Sequence, residues 1–535
     1  MDESTTPPSR DAADDGALFI DDFAVATGDD WRARVDAELG DGADRHPARV
    51  DRPVPHAGVD MAPVYGLPGD PITAPDPAAP PDALPYVRGG RPADAPLRGD
   101  RSGPWRIAHR YRVDPGDPAA LRDVLHADLR QGLQMPWLVV DGPDGLDADD
   151  WARALDGVGV GMIGLGLDAG AHTLPVVASL AAALDRRDAQ DLSALDGCWG
   201  CDPIGTLARA GTLARGIDAH RAALVALARW SIERAPGMRA ALVDASIPCE
   251  AGAETADELA WAASAGLDVL RTLTKAGLAV DDAADQIAFR LATGEDTFTE
   301  IAKCRALRLL WAKLAAGCGV APGHRRAPLY ATLARRGTAA RGAHNNLLRM
   351  THGAFVAGVG GADAIDLPVH DARDGGGHAR RLARNVQHLL AEEGEIGHVL
   401  DPAGGSFAVE ALTDALAREA FRRLQTIEAD GGLVAALVEG DLQTHYAAAR
   451  EARQAAVDRR RCQHVGVTAF PDPAPPAGAA PTTDAAEASD AAADADLVAR
   501  LRAGGNPIEP LIAAAANGTS HAAIVATLRA AAAAA

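Results

Sequence analysis

Residues Asn385 to Glu410 read NVQHLLAEEGEIGHVLDPAGGSFAVE, and this stretch decides the fold. A helix predicted over residues 380–392 stops at Gly394. A short apolar step follows, and DPAGGS, Asp401 to Ser406, makes a glycine-rich turn into a further helix.

Upstream of this stretch, from Pro104 onward, the chain alternates. Short apolar strand candidates (Trp137 to Asp141, Val158 to Leu165, Ala241 to Asp244) separate long amphipathic helices. The helices are predicted over Ala119 to Gln131, Leu174 to Asp185, Ile217 to Glu233 and Ala253 to Ala276. Strand and helix in turn imply parallel strands joined by crossover helices. Sustained over some 330 residues, the pattern predicts an α/β (β/α)8 TIM barrel with insertions.

Both flanks differ from the barrel. Residues 1–100 hold one predicted helix, Asp29 to Leu39, and then a Pro/Gly-rich stretch. Proline fixes φ and blocks helix there, so 53–96 reads as an extended arm. Pro, Ala and Asp dominate 471–496, a low-complexity linker. The last segment, 497–535, predicts two short helices around Asn517-Gly518. The expected domains are therefore 1–100, a barrel over 101–470, the linker, and a helical C-terminal segment.

The chain has 535 residues, 74 acidic and 52 basic, for a formal charge of −22. Such a surface repels nucleic acid and anionic membranes. An anionic ligand would be repelled too unless arginines were gathered locally. The acidic N-terminus lacks the basic start and apolar core of a signal peptide. Asn517, His521 and Arg529 break the Ala-rich C-terminus below a spanning length. Six cysteines make no disulfide framework in a chain this long, and the expected location is cytoplasmic.

With RLARNVQ overlapping its start and EALTDALAREAF after it, the opening stretch resembles the barrel of the coenzyme-B12-dependent acyl-CoA mutases, methylmalonyl-CoA mutase above all. FTEIAKCRALRLLWAKL, Phe298 to Leu314, has apolar spacing for a buried helix face. It is also similar to the family's EIAKLRAARLLWA, with Lys303 and Arg305 expected to serve packing or a subunit interface. NNLLR, Asn345 to Arg349, is similar to the family's NLLR. Arg349 is a candidate CoA contact or a structural residue, and both readings stand.

The resemblance implies two catalytic requirements. One is the cobalt-binding histidine of a DxHxxG motif on a flavodoxin-like cobalamin domain. Of 16 histidines, only His46 and His220 follow an Asp by two, and Arg49 and Ala223 stand where Gly is needed. That ligand and its domain are expected to be absent. The other is a set of polar side chains in the barrel. The family's large subunit reads GYHMQEAGA where this chain reads ASIPCEAGA, so Ser246 and Ile247 replace a Tyr-His pair. An isoleucine cannot donate a hydrogen bond to a thioester carbonyl. Arg110, in PWRIAHRYR, aligns with the Tyr of PWTIRQYAGF, although Tyr111 beside it leaves a one-residue ambiguity. Asp366, in AIDLP, replaces the His of SLHTN. The interior around Ile247 is expected to be apolar and refilled.

Scaffold motifs kept and chemistry motifs replaced fit the family's non-catalytic small (beta) subunit. The resemblance then implies a heterodimer whose large (alpha) subunit binds adenosylcobalamin, cobalt included, and interconverts (R)-methylmalonyl-CoA and succinyl-CoA. This chain would bind no cofactor or metal, nucleic acid or membrane, and would stabilise its partner, which the N-terminal helix and arm of residues 1–100 would wrap. Two alternatives stay open: the catalytic barrel of a split acyl-CoA mutase, and a stand-alone degenerate CoA-ester-binding barrel.

Three further motifs read as structural. CWGC, Cys198 to Cys201, has the spacing of a zinc or redox pair but no second pair, and lies mid-barrel. DGGGH, Asp374 to His378, lacks the Lys-Ser/Thr of a phosphate loop. The near-repeat GTLARAGTLARG places Arg209 and Arg215 six apart, off one helical face. It reads as a duplication in a helical region rather than a phosphate clamp.

Overall fold

The computed structural model describes residues 27–40, 52–53, 57–62, 64–65, 83–89, 105–187, 192–371, 376–460, 462–471 and 491–532. Most of the arm and of the linker, and Asp374 in DGGGH, lie outside these residues. By internal contact the chain forms two units, residues 1–52 with 60–73, and residues 53–59 with 74–535.

The first unit contains helix Gly28–Leu39. Thr27 and Asp30 cap it reciprocally, each side chain accepting from the other's backbone N–H, which satisfies two otherwise orphan donors.

The second unit is a closed barrel of eight parallel strands. They are β1 (Arg106–Arg112), β2 (Met135–Val139), β3 (Gly164–Asp168), β4 (Asp196–Cys201), β5 (Met238–Asp244), β6 (Ile287–Thr293), β7 (Leu329–Leu333) and β8 (Ala364–Asp366). Strand β8 closes the ring by pairing with β7 and with β1, where Ile365 lies opposite Ile107. The predicted helices appear as Pro118–Leu129, Thr173–Asp185, Gly216–Arg234 and Thr255–Lys275. One strand candidate moves: of Val158 to Leu165, residues 160–162 form a 3-10 turn, and the strand begins at Gly164. Two glycines in β3 misled the pattern, because small residues there make room for neighbours. A Cβ on Gly166 would collide with the ring of Trp137.

Aromatics are few, yet seven tryptophans, residues 105, 137, 151, 199, 230, 261 and 311, are each at most 2% exposed. Trp137 packs edge-on against Tyr330 at 5.3 Å between ring centroids and fills the barrel axis together with Met135, Cys198 and Leu242.

The decisive stretch folds as helix Gly377–His388, a π turn over Leu389–Glu393, and helix Phe407–Ala429. Between them Asp401 adopts a positive φ of 51° and accepts from Arg88 (2.9 Å) and Arg305. A side chain on Gly404 would strike the Asp401 carboxylate. Arg305 also grips Glu410, and is itself 1% exposed. Lys303, equally buried, pairs with Glu258 (2.9 Å) and Glu300 (2.7 Å). Lys303 and Arg305 therefore act inside the barrel's helical layer. Helix Ile508–Ala516 packs on Thr173–Asp185.

No helix among the described residues is long and apolar enough to cross a membrane.

Candidate functional site

Successive side chains on a strand point to opposite faces, so the inward positions near the strands' C-terminal ends converge on one mouth. Here they border a cavity of about 1050 Å³, lined among others by Arg110, Asp244, Ser246, Ile247 and Asp366. Four positions picked from three sequence segments, Arg110, Ser246, Ile247 and Asp366, thus meet at one place. At β1, Arg110 and Tyr111 both border the cavity; Arg110 turns to Asp366 and Asp168, whereas the Tyr111 hydroxyl donates to Asp128 at 2.7 Å.

The cavity floor is ionic. Arg110 pairs with Asp366 at 2.8 Å and with Asp168 at 3.3 Å. Arg290, 2% exposed, pairs with Asp244 at 3.0 Å, and its guanidinium stacks 4.2 Å from the Trp137 ring centroid. Arg209 reaches the same Asp244 at 2.6 Å, and the Ser246 hydroxyl donates to its other oxygen. The interior expected to be apolar around Ile247 is instead a linked network of arginines and aspartates. Sequence pattern concealed it because each carboxylate sits singly at the end of an apolar strand, as in GLGLD and AALVD.

Electrostatics follow from this packing. Burial raises the Asp244 carboxyl, but Arg290, Arg209 and Arg110 outweigh it and hold the group at about 2. Burial would lower the Arg110 guanidinium, and Asp366 with Asp168 raises it instead. Burial wins at Asp202, where Arg209 is the main opposing influence and the carboxyl is pushed up to about 7. Three arginines thus face aspartates that neutralise them. His109, the only histidine lining this cavity among the described residues, is 6% exposed, with Nδ1 3.1 Å from the Leu367 carbonyl oxygen. Burial lowers its pKa, keeping the ring neutral.

Arg349 lies elsewhere. It donates to Asn346 (2.8 Å) and to the Val465 carbonyl (2.7 Å), beside a separate cavity of about 350 Å³ with His352 and His464. Cys198 and Cys201 lie on β4, both buried, and burial pushes the Cys198 thiol up to about 11. Among the described residues no cluster of three His, Cys, Asp or Glu could hold a metal. GTLARAGTLARG is helical only in its first copy. Helix Pro203–Ala210 ends at Gly211, whose positive φ of 73° suits a glycine cap, and the second copy is the loop entering Gly216–Arg234.

Comparison with known proteins agrees with this architecture. The family model described as methylmalonyl-CoA mutase matches residues 141–534. A methylmalonyl-CoA mutase small subunit of Streptomyces virginiae is 36% identical over 486 residues, 88% of this chain and 76% of the relative. One from Propionibacterium freudenreichii subsp. shermanii is 30% identical over 494 residues, covering 88% and 73%. A probable small subunit of Mycobacterium tuberculosis is 40% identical over 407 residues, covering 74% of this chain and 63% of the relative, just under two thirds of its length. The chain belongs to the methylmalonyl-CoA mutase family.

Proposed function

We propose that the chain is the non-catalytic small subunit of a heterodimeric methylmalonyl-CoA mutase. Its barrel supports a large subunit that interconverts (R)-methylmalonyl-CoA and succinyl-CoA, an isomerisation. The observation that carries this reading is the closed ionic floor of the main cavity. Arg110 and Asp366, where the family's large subunit has Tyr and His, are spent on each other. Ser246 is held by Asp244, and Ile247 offers no donor. Beneath them Trp137 and Tyr330 pack edge-on in the barrel axis.

Adenosylcobalamin supplies the family's radical chemistry, and the residues here do not fit it. His109 in the cavity is buried and turned to Leu367, and no histidine in the sequence has the DxHxxG spacing. The cofactor is therefore assigned to the partner, and no step is routed through this barrel. The domain limits 1–100, 101–470, 471–496 and 497–535 belong to this same reading, as does a structural role for Arg349.

The test is co-expression with a large subunit, followed by sizing, activity and visible absorption after gel filtration. The isolated chain should retain no corrinoid, and the pair should elute together and turn over. Ile247→Asp, which adds a carboxylate near Asp202, should lower the yield of complex and leave turnover per assembled complex unchanged. Corrinoid retained by the isolated chain, or turnover lost in fully assembled Ile247→Asp complex, would contradict the proposal.

A further inference from the structure

Helix Pro203–Ala210 lies between two cavities. Its Arg209 reaches the ionic floor, while Thr206 and Ala210 border a second cavity of about 180 Å³. The second copy of the GTLAR repeat runs along this cavity's edge. Its basic lining is His172, Arg215, His220 and Arg529, and among the described residues no carboxylate lines it. In a chain of net charge −22, that is a local inversion of sign.

These groups are short of partners. The Arg215 Nε is buried without a hydrogen-bond partner, and among the described residues no carboxylate pairs with Arg215 or Arg529. Behind His172 stands His521, 2% exposed, with both ring nitrogens unpartnered. The 19-residue helix Gly216–Arg234 begins at this edge, and no side chain caps it. Its N-terminus adds partial positive charge.

Gathering cations with so little counter-charge is unfavourable. Burial, with Arg529, His220 and Arg215, outweighs Asp144 and pushes His172 down to about 4, and burial with Arg215 does the same to His220. An anion entering the cavity would remove that penalty. Two guanidinium groups suit a dianionic oxyanion better than a single carboxylate. The remaining wall is apolar, with Leu174, Pro175, Leu213, Val525 and Leu528. We propose that this cavity binds a small phosphomonoester. Arg215 and Arg529 would take the phosphate oxygens, the two histidines would hydrogen-bond to them, and the organic body would lie on the apolar wall. The inference stands apart from the mutase reading and uses none of the main-cavity residues.

Calorimetric titration of the full chain with phenyl phosphate tests it. Saturable one-to-one binding is expected, weakened at least tenfold by Arg215→Ala and by Arg529→Ala. Arg335→Ala, in the main cavity, should leave it unchanged. Benzoate, with the same ring and one charge, and orthophosphate, with no organic body, should each bind at least tenfold more weakly. Circular dichroism checks folding, and His220→Gln replaces Arg215→Ala if that variant unfolds. No saturable binding, equal binding by the arginine variants, loss in Arg335→Ala, or benzoate or orthophosphate binding as tightly would overturn the assignment.

Discussion

Arg290 neutralises Asp244 from a position where neither group meets water, both side chains being 2% exposed. Removing Arg290 would leave Asp244 to Arg209 from the cavity side, so Arg290→Met should cost at most about 3–5 kcal/mol in urea unfolding. Adding Asp244→Asn should recover part of that loss. Asp202 predicts a pH effect of opposite sense to Asp244. Its folded pKa, about 7, lies above the ordinary carboxyl value near 3.9, so the folded state keeps a proton the unfolded chain releases. The stability that proton contributes is complete below about pH 4 and is lost as pH rises through 7. Asp202→Asn, which can still cap the helix at Gly205, should flatten the decline measured by thermal melts between those values. Asp244, held at about 2, contributes stability above pH 4 that is lost only as pH falls through 2. At this scale the sequence was half legible. Motif comparison located Arg110, Ser246, Ile247 and Asp366, but the partners Asp168, Arg209, Asp244 and Arg290 emerge only when strands distant in sequence close into a ring.

Helix Thr297–Gly317 and the turn after the π segment are joined through Arg305 alone among the helix's basic residues. Arg305→Met should leave Asp401 and Glu410 without that partner and loosen the turn before the rest of the barrel. Hydrogen exchange over residues 396–406 should rise well above exchange in β5 and β6, with a stability loss of about 3–5 kcal/mol. Equal exchange in variant and parent would show that the turn is held by packing. Helices were the most readable elements, because their apolar spacing survives in any context. The π turn and the late start of β3 were not readable. The former adds one residue to a helical turn without a local signal, and the latter depends on Trp137 from the adjacent strand.

For the whole molecule, the proposed pairing gives the arm a distinct behaviour. Contrary to an arm packed only on the partner, Ala57, Tyr86 and Val87 are buried and the Tyr86 hydroxyl donates to the Pro322 carbonyl of the same chain. Protease should therefore spare 83–89 in both states and cut the rest of 53–96 faster in the isolated chain than in the heterodimer. Equal cleavage of that remainder in both would remove the arm from the interface. The barrel's aromatic economy has an optical consequence. Seven of the eight indoles are sealed in the barrel unit, and the eighth, Trp31, sits half-exposed on the N-terminal helix. An aqueous quencher such as acrylamide therefore addresses one emitter above all others, and that emitter lies within the segment assigned to the partner. The molecule carries its own fluorescent gauge of assembly, read without a label: the quenchable fraction should fall when the large subunit covers Trp31 and should vanish in Trp31→Phe.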